Sequence, residues 1–228
     1  VLLELNNHSV LYHVVTRVQQ SNFIDKVVVA TTIGQEDDVI IRECEKHGFE
    51  HFRGSEEDVL DRYYQAANLY AADHVVRVTS DCPLIDPKII DLVIYRYLKS
   101  FENGINYDYA SNCVERSYPR GLDVEIFSKN TLSTAWQNSN ELYQREHVTP
   151  YIYQHADLFN ILSIMNDEDF SSYRITLDTN EDWELINKIF KIQSNNKNIS
   201  GDMRSIISII NEYPEINKIN SHVQQKNK

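Results

Sequence analysis

Asp81 is the residue of this sequence best placed to do chemistry. It follows His74-Val-Val-Arg-Val-Thr-Ser80, whose β-branched run suits a strand buried on both faces of a parallel sheet. Ser80, Asp81 and Pro83 break that run. Asp86-Pro87 then starts a helix, the carboxylate as N-cap and the proline at the first helical position. Its apolar stripe is Ile89, Ile90, Val93, Ile94, Tyr97 and Leu98. Asp81 is therefore predicted just past a strand's C-terminal end, where open α/β sheets place their ligands. A carboxylate there can hold a divalent cation against a phosphate. Asp178 is the second candidate, after the strand-like run Arg174 to Leu177. The capping pattern Thr179-Asn-Glu-Asp182 uses Thr179 and Asp182 and leaves Asp178 to point elsewhere. Arg53, Gly54 and Ser55 follow another strand and precede a helix N-terminus, a position suited to polar ligand contacts, although Ser55 and Asp58 can equally serve as caps. Cys82 carries no signal beyond being small and buried.

These residues need a frame. Ser9 can cap a helix whose apolar face is Val10, Leu11, Val14, Val15 and Val18. Ile24 to Thr31 reads as a buried strand that Thr31, Thr32 and Gly34 end. A helix from about Glu36 follows, with Gly48 where a C-cap is wanted. Phe49 to Arg53 makes a short strand, and Ser55-Glu-Glu-Asp58 fits a capping box opening a helix from Val59 to Ala72. The order up to Ser100 is thus a helix and then three strand–helix units. That order predicts an α/β, doubly wound, mostly parallel sheet with helices on both sides. From Tyr107 the pattern changes. Tyr107 to Ala110, Leu122 to Phe127, Asn160 to Met165 and Tyr173 to Leu177 read as strands, while Ser128 and Asn140 read as helix caps. Thr179 opens a helix from Trp183 to Ile192. The expected organisation is a domain over 1–192 with an inserted, strand-containing arm over about 105–160, and a C-terminal extension over 193–228. That extension is rich in Asn, Ser and Lys, with one weak helix from Ile206 to Asn211 and roughly eight frayed residues at the end. A sheet of this kind usually starts with a strand, and none precedes the first helix. Because the chain begins at Val1, an N-terminal strand and its loop are expected to be missing.

The totals narrow the function. A net charge of −12 disfavours nucleic-acid binding, which needs a basic footprint. It leaves room for an anionic small molecule, since a metal and a few local arginines can reverse the sign inside one cleft. The three cysteines lack any CxxC spacing, which argues against a zinc knuckle or disulfide framework and fits a reducing cytoplasm. No run approaches a membrane span, so no membrane partner is expected.

Five stretches carry a resemblance: Arg53-Gly-Ser-Glu-Glu-Asp-Val-Leu-Asp-Arg-Tyr63, Arg77-Val-Thr-Ser-Asp-Cys-Pro-Leu84, Tyr118-Pro-Arg-Gly-Leu-Asp-Val-Glu125, Arg145-Glu-His-Val-Thr-Pro150 and Arg174-Ile-Thr-Leu-Asp-Thr-Asn-Glu-Asp182. In this order, from Val1 to about Ile192, the chain resembles the SpsF-type spore-coat-polysaccharide cytidylyltransferases. These are relatives of the acylneuraminate and 3-deoxy-manno-octulosonate cytidylyltransferases. The resemblance implies a Rossmann-like nucleotidyltransferase domain that uses CTP and Mg²⁺ to activate a sugar or sugar acid, with release of pyrophosphate, in surface-polysaccharide synthesis. It implies that Asp81 and Asp178 converge on one Mg²⁺, and that Thr31, Thr32, Arg53, Gly54, Ser55 and Thr79 line the nucleotide site. Arg120, Asp123 and Glu125, with Arg145, Glu146 and His147, are implied to face the acceptor sugar. Taken alone, Asp123 and Glu125 share one face of a strand and read equally as a solvated face. His147 reads equally as a packed helix-end histidine. The family's opening strand and Gly/Arg-rich loop, which would hold the triphosphate, do not occur in this sequence, and little catalysis is expected of a chain that truly starts at Val1. Relatives pair through the arm, and the 14 tyrosines include several from Tyr107 to Tyr153, so a homodimer is expected. The alternatives are a GT-A-type glycosyltransferase, with Asp81 to Asp86 as its acidic motif, and a non-catalytic nucleotide-binding scaffold.

Overall fold

The computed structural model describes residues 1–196 and 200–223. It opens with a hairpin that the sequence pattern does not announce. β1 (Glu4–Leu5) pairs antiparallel with β2 (His8–Ser9) across Asn6 and Asn7, both at positive φ. Asparagine tolerates that conformation, which a two-residue hairpin turn requires. Ser9 then caps α1 (Val10–Val18), its hydroxyl accepting from the Tyr12 N–H at 3.1 Å. β3 (Val28–Thr32) leads through a short 3-10 turn into α2 (Asp38–His47), which Gly48 ends in the left-handed conformation. β4 (Glu50–Gly54) lies parallel to β3, setting Thr31 opposite Arg53 and Thr32 opposite Gly54. Next come α3 (Val59–Leu69), β5 (His74–Arg77) and α4 (Pro87–Glu102). Asp86 caps α4 as expected, with the Lys88 N–H on its carboxylate at 2.9 Å. The cap of α3 is Asp58, and Ser55 only accepts from the Asp58 N–H.

The arm contributes β6 (Tyr109–Ser111), β7 (Glu125–Ser128), α5 (Lys129–Asn138), α6 (Leu142–His147), α7 (Pro150–Gln154) and β8 (Ile161–Ser163). Ser128 caps α5, but Asn140 caps nothing, since α6 starts from Glu141 without a side-chain cap. The arm shares a second core with α3, in which Tyr109, Phe127, Leu132, Val148 and Ile152 pack around Leu60, while Ala110, Leu122 and Ile126 enter the main core. The C-terminal part carries α8 (Asn180–Asn195), α9 (Met203–Glu212) and α10 (Pro214–Asn217). The helix expected from Ile206 to Asn211 is thus longer, and Met203, Ile206, Ile207, Ile209 and Ile210 are buried in the main core with α4 and α8. Of the tail expected to fray, residues 224–228 lie outside the described residues.

The α/β class holds, with pairings that differ from a single parallel sheet. β3 and β4 form a parallel pair by themselves. A second ladder runs β5-β7-β6-β8, with β7 antiparallel to both neighbours and β6 parallel to β8. β3 and β5 each have one hydrogen-bonded neighbour among the described residues, so their valine runs are half-buried rather than buried on both faces. Leu122 to Phe127 becomes strand only from Glu125. Before it, the buried Asn112 side chain donates to the Leu122 carbonyl (2.7 Å) and accepts from the Val124 N–H (2.9 Å), replacing ladder bonds. Tyr173 to Leu177 forms no ladder either. It bridges Arg120 at Arg174 and then reaches Asp81. No helix among the described residues is long and apolar enough to cross a membrane.

Candidate active site

Two backbone hydrogen bonds build the site. The Ile175 N–H donates to the Arg120 carbonyl at 2.8 Å, and two residues on, the Leu177 N–H donates to the Asp81 carbonyl at 2.8 Å. The segment 174–177 therefore spans from the arm to the loop after β5. Gly121 makes this approach feasible. It sits at φ 102°, and a Cβ there would lie 2.5 Å from the Ile175 carbonyl carbon. Asp178 is the residue after Leu177, whose backbone is tied to Asp81. Thr176 adds a second tie, its hydroxyl donating to Asp81 Oδ2 at 3.1 Å.

Asp178 is exposed and shares the guanidinium of Arg174 (2.6 Å) with Asp182 (2.8 Å). Asp182 is fully buried. It completes the capping box of α8 with Thr179, takes the Asp178 and Thr179 N–H groups, and accepts from Asn220. Burial alone would raise the pKa of Asp182, but Arg174 and Asn220 more than offset it and keep the carboxylate below its usual range. Beside Asp81, Thr79 touches Cys82, whose thiol burial pushes well above the ordinary range, with Asp81 and Asp123 adding to the effect. That thiol stays protonated and is no nucleophile.

The two aspartates fit a Mg²⁺ ion chemically. Both are hard oxygen donors at the solvent side of one loop pair, and Mg²⁺ needs only one or two carboxylates because it keeps several waters. Among the described residues no group of three or more His, Cys, Asp or Glu side chains is placed to hold a metal.

The nucleotide-side candidates gather at the ends of β3 and β4. Thr31 donates to Asp37 at 2.6 Å, and the Thr32 N–H donates to the same carboxylate at 3.0 Å. Arg53 donates to the carbonyls of Thr32 (2.8 Å) and Gly34 (2.6 Å) and to Asp38 (2.7 Å). In this arrangement Arg53 is a strut that shapes the loop after β3. Beside it opens a cleft lined by Ile33, Gly34, Gly54, Ser55, Glu56 and Glu57.

The acceptor-side candidates divide into separate settings. Asp123 takes a two-pronged bond from Arg116 (2.7 and 2.9 Å), while Arg120 borders a cavity beside Arg174. Glu125 is buried on β7, paired with Arg77 and accepting from the Tyr109 hydroxyl at 3.0 Å, so it is not on a solvated face. Burial would lower the Arg77 pKa, yet Glu125 outweighs it and holds the guanidinium charged. Arg145 grips Asp58, the cap of α3, and the Trp136 carbonyl. Glu146 is exposed, and His147 stands edge-on to Tyr143 at 4.8 Å. His147 is followed by Val148 at φ 74°, ψ −57°, a γ-turn closed by the Thr149 N–H on the His147 carbonyl at 2.9 Å. That conformation is strained for a β-branched residue and fixes how α6 meets α7.

Thr176, Asp182 and Arg77 lie inside the five motif stretches but were given no site role there, and Arg116 lies outside them. Asp182 carried a signal, its capping-box position, but its grip on Arg174 depends on a fold the pattern does not draw.

The family model for cytidylyltransferases matches residues 1–212. The chain belongs to the cytidylyltransferase family. It is 33% identical to the spore coat polysaccharide biosynthesis protein SpsF of Bacillus subtilis, over 94% of this chain and 88% of that protein. It is 39% identical to an uncharacterized protein of Methanocaldococcus jannaschii, over 99% of this chain and 89% of that protein. A solved cytidylyltransferase from Leptospira borgpetersenii superposes with a TM-score of 0.87 at 32% identity, covering 100% of this chain and 91% of that one. This cytidylyltransferase is thus a nucleotidyl-transferring enzyme, and the sugar-transfer and scaffold alternatives give way to that membership.

Proposed function

We propose that this cytidylyltransferase transfers CMP from CTP to a sugar or sugar acid with Mg²⁺, releasing pyrophosphate and forming a CMP- or CDP-sugar for surface-polysaccharide synthesis. The observation that supports this reading is the Leu177–Asp81 backbone bond, which ties the residue before Asp178 to Asp81 across 96 residues of sequence. Asp81 and Asp178 would hold the cation, which when bound neutralises charge on the phosphate oxygens. Thr176 orients Asp81 through its hydroxyl, and Arg174 restrains Asp178. Thr31, Thr32, Gly54 and Ser55 form the wall against which the nucleoside would lie, with Thr79 beside the metal pair. Arg53 holds that wall through Thr32, Gly34 and Asp38. Arg120, Asp123, Arg145, Glu146 and His147 are the acceptor-side groups, and Glu125 acts there through Arg77 and Tyr109. Nucleotidyl transfer depends mainly on positioning and charge stabilisation, and a phosphate or carboxylate nucleophile needs no general base, so His147 is assigned no proton transfer.

The test is pyrophosphate release from each of the four nucleoside triphosphates with Mg²⁺ and a panel of sugar phosphates and sugar acids. CTP should be preferred. Asp81→Ala should lower turnover by roughly two to three decades, the loss expected for one electrostatic anchor, with an unchanged circular dichroism spectrum. Near-full activity in that variant would defeat the metal assignment. A homodimer through the arm belongs to the same reading, supported by Leu142 and Leu158 at 86% and 60% exposure, and sedimentation at micromolar concentration checks it.

A further inference from the structure

A cavity of about 100 Å³ opens between the arm and the C-terminal segment, bounded by Arg120, Ser172, Arg174, Asn217 and Ser221. A single water needs only about 10–15 Å³ of such space, so the cavity has room for a phosphate-, sulfate- or carboxylate-sized group. Every lining group named here offers hydrogen-bond donors.

Arg120 sets the character of the cavity. Its neighbours are matched: Arg116 by Asp123, and Arg174 by Asp178 and Asp182. Among the described residues the Arg120 guanidinium makes no hydrogen bond or ion pair. Its backbone is nevertheless fixed, with the N–H on the Tyr173 carbonyl (3.0 Å) and the carbonyl on the Ile175 N–H (2.8 Å). Partial burial, then the charges of Arg116 and Arg174, push its pKa down, and the nearby Asp123 offsets only part of that. Ser172 and Ser221 line the same cavity.

We propose that this cavity is a binding site for a single oxyanion group, held by Arg120 with Ser172, Ser221 and Asn217. A planar guanidinium with uncommitted donors is the group suited to a phosphate or carboxylate. An anion here also joins the C-terminal segment to the stretch that leads into Asp178. The anion has two sources of the same chemistry: a free inorganic ion, or the charged group of an acceptor sugar.

Calorimetric titration of the full chain, without metal or CTP, tests the site with sulfate, inorganic phosphate, a sugar 1-phosphate and a sugar acid. Saturable binding that Arg120→Gln weakens at least tenfold, and that Asp81→Ala leaves intact, supports the site independently of nucleotidyl transfer. Binding by the inorganic ions assigns it to a free anion. Binding by the sugar compounds alone assigns it to the acceptor. Ser221→Val, on the opposite wall, should weaken binding roughly fivefold, the effect of one lost neutral hydrogen bond. It serves as the reporter should Arg120→Gln fold poorly. Equal affinity in wild type and both variants, or no saturable binding by any of the four probes, overturns the proposal.

Discussion

Glu125 shows how one residue can carry two meanings that only burial separates. On a solvated strand it would be a ligand or an ornament. Here it is the counter-ion of a buried arginine, Arg77, with the Tyr109 hydroxyl on its second oxygen. Removing one partner of such a pair leaves an uncompensated buried charge, which costs about 3–5 kcal/mol. Glu125→Gln is therefore expected to lower the urea-unfolding free energy by about 3 kcal/mol. A variant as stable as wild type but impaired in turnover would make Glu125 a direct sugar ligand instead. Arg53 and Asp58 show the same economy. Each is a motif residue whose polar atoms are occupied by the loop or helix it shapes.

At the level of elements, the approach of 120–122 to 174–176 sets the path by which Leu177 reaches Asp81. Gly121→Ala would place a methyl against the Ile175 carbonyl and a side chain at positive φ. Left-handed backbone alone costs about 1–2 kcal/mol, and the contact adds to it. The expected outcome is a loss of at least about 2 kcal/mol of stability, and turnover that falls even where the variant is fully folded. Unchanged kinetics in a folded variant would show that the aspartates do not depend on this approach. The cap of α9 offers a pH-dependent check. Burial raises the Asp202 pKa, but the Ser205 N–H and hydroxyl, Ser200 and Lys88 outweigh it, leaving the folded-state value below normal. The folded state then binds the proton less readily than the unfolded chain. The stabilisation is complete above the ordinary carboxylate pKa of about 3.9 and is lost as pH falls through the depressed value. The urea midpoint of wild type should fall more steeply than that of Asp202→Asn between about pH 5 and pH 2. At neutral pH, Asp202→Ala should cost about 1 kcal/mol as a lost helix cap. Parallel acid profiles for wild type and Asp202→Asn would remove Asp202 as a source of acid sensitivity.

Over the whole molecule, the C-terminal extension is part of the core rather than an appendage. Arg17 of α1 reaches the carbonyls of Ile85 and Gly201. Asp86 takes the Met203 N–H at 2.8 Å while capping α4. Asn220 donates to the Arg174 carbonyl and to Asp182 behind the site. With five apolar residues of α9 buried on α4 and α8, a chain ending at Asn196 should lose cooperative urea unfolding and expose surface that binds a hydrophobic dye. A truncated chain with a sharp, wild-type transition would make the extension dispensable. The split between the β3·β4 pair and the four-stranded ladder also appears only at this level, because strand pairing depends on which edges meet.

Local chemistry was legible in the sequence. Ser9, Asp86, Ser128 and Thr179 cap the helices they were expected to cap, because a cap is satisfied by backbone within one turn of its own residue. Five motifs in order also identified the family. What the chain by itself did not determine was every feature that depends on distant backbone meeting. The run Tyr173 to Leu177 had the pattern of a strand, yet its backbone hydrogen bonds link Tyr173 and Ile175 to Arg120 and Leu177 to Asp81; Ile175 and Leu177 lie 55 and 96 residues from those partners. The burial of Glu125, the two separate ladders and the uncommitted guanidinium of Arg120 are likewise decided in three dimensions. An alternating pattern reports which residues share a face, and only tertiary packing determines whether that face meets water or an arginine.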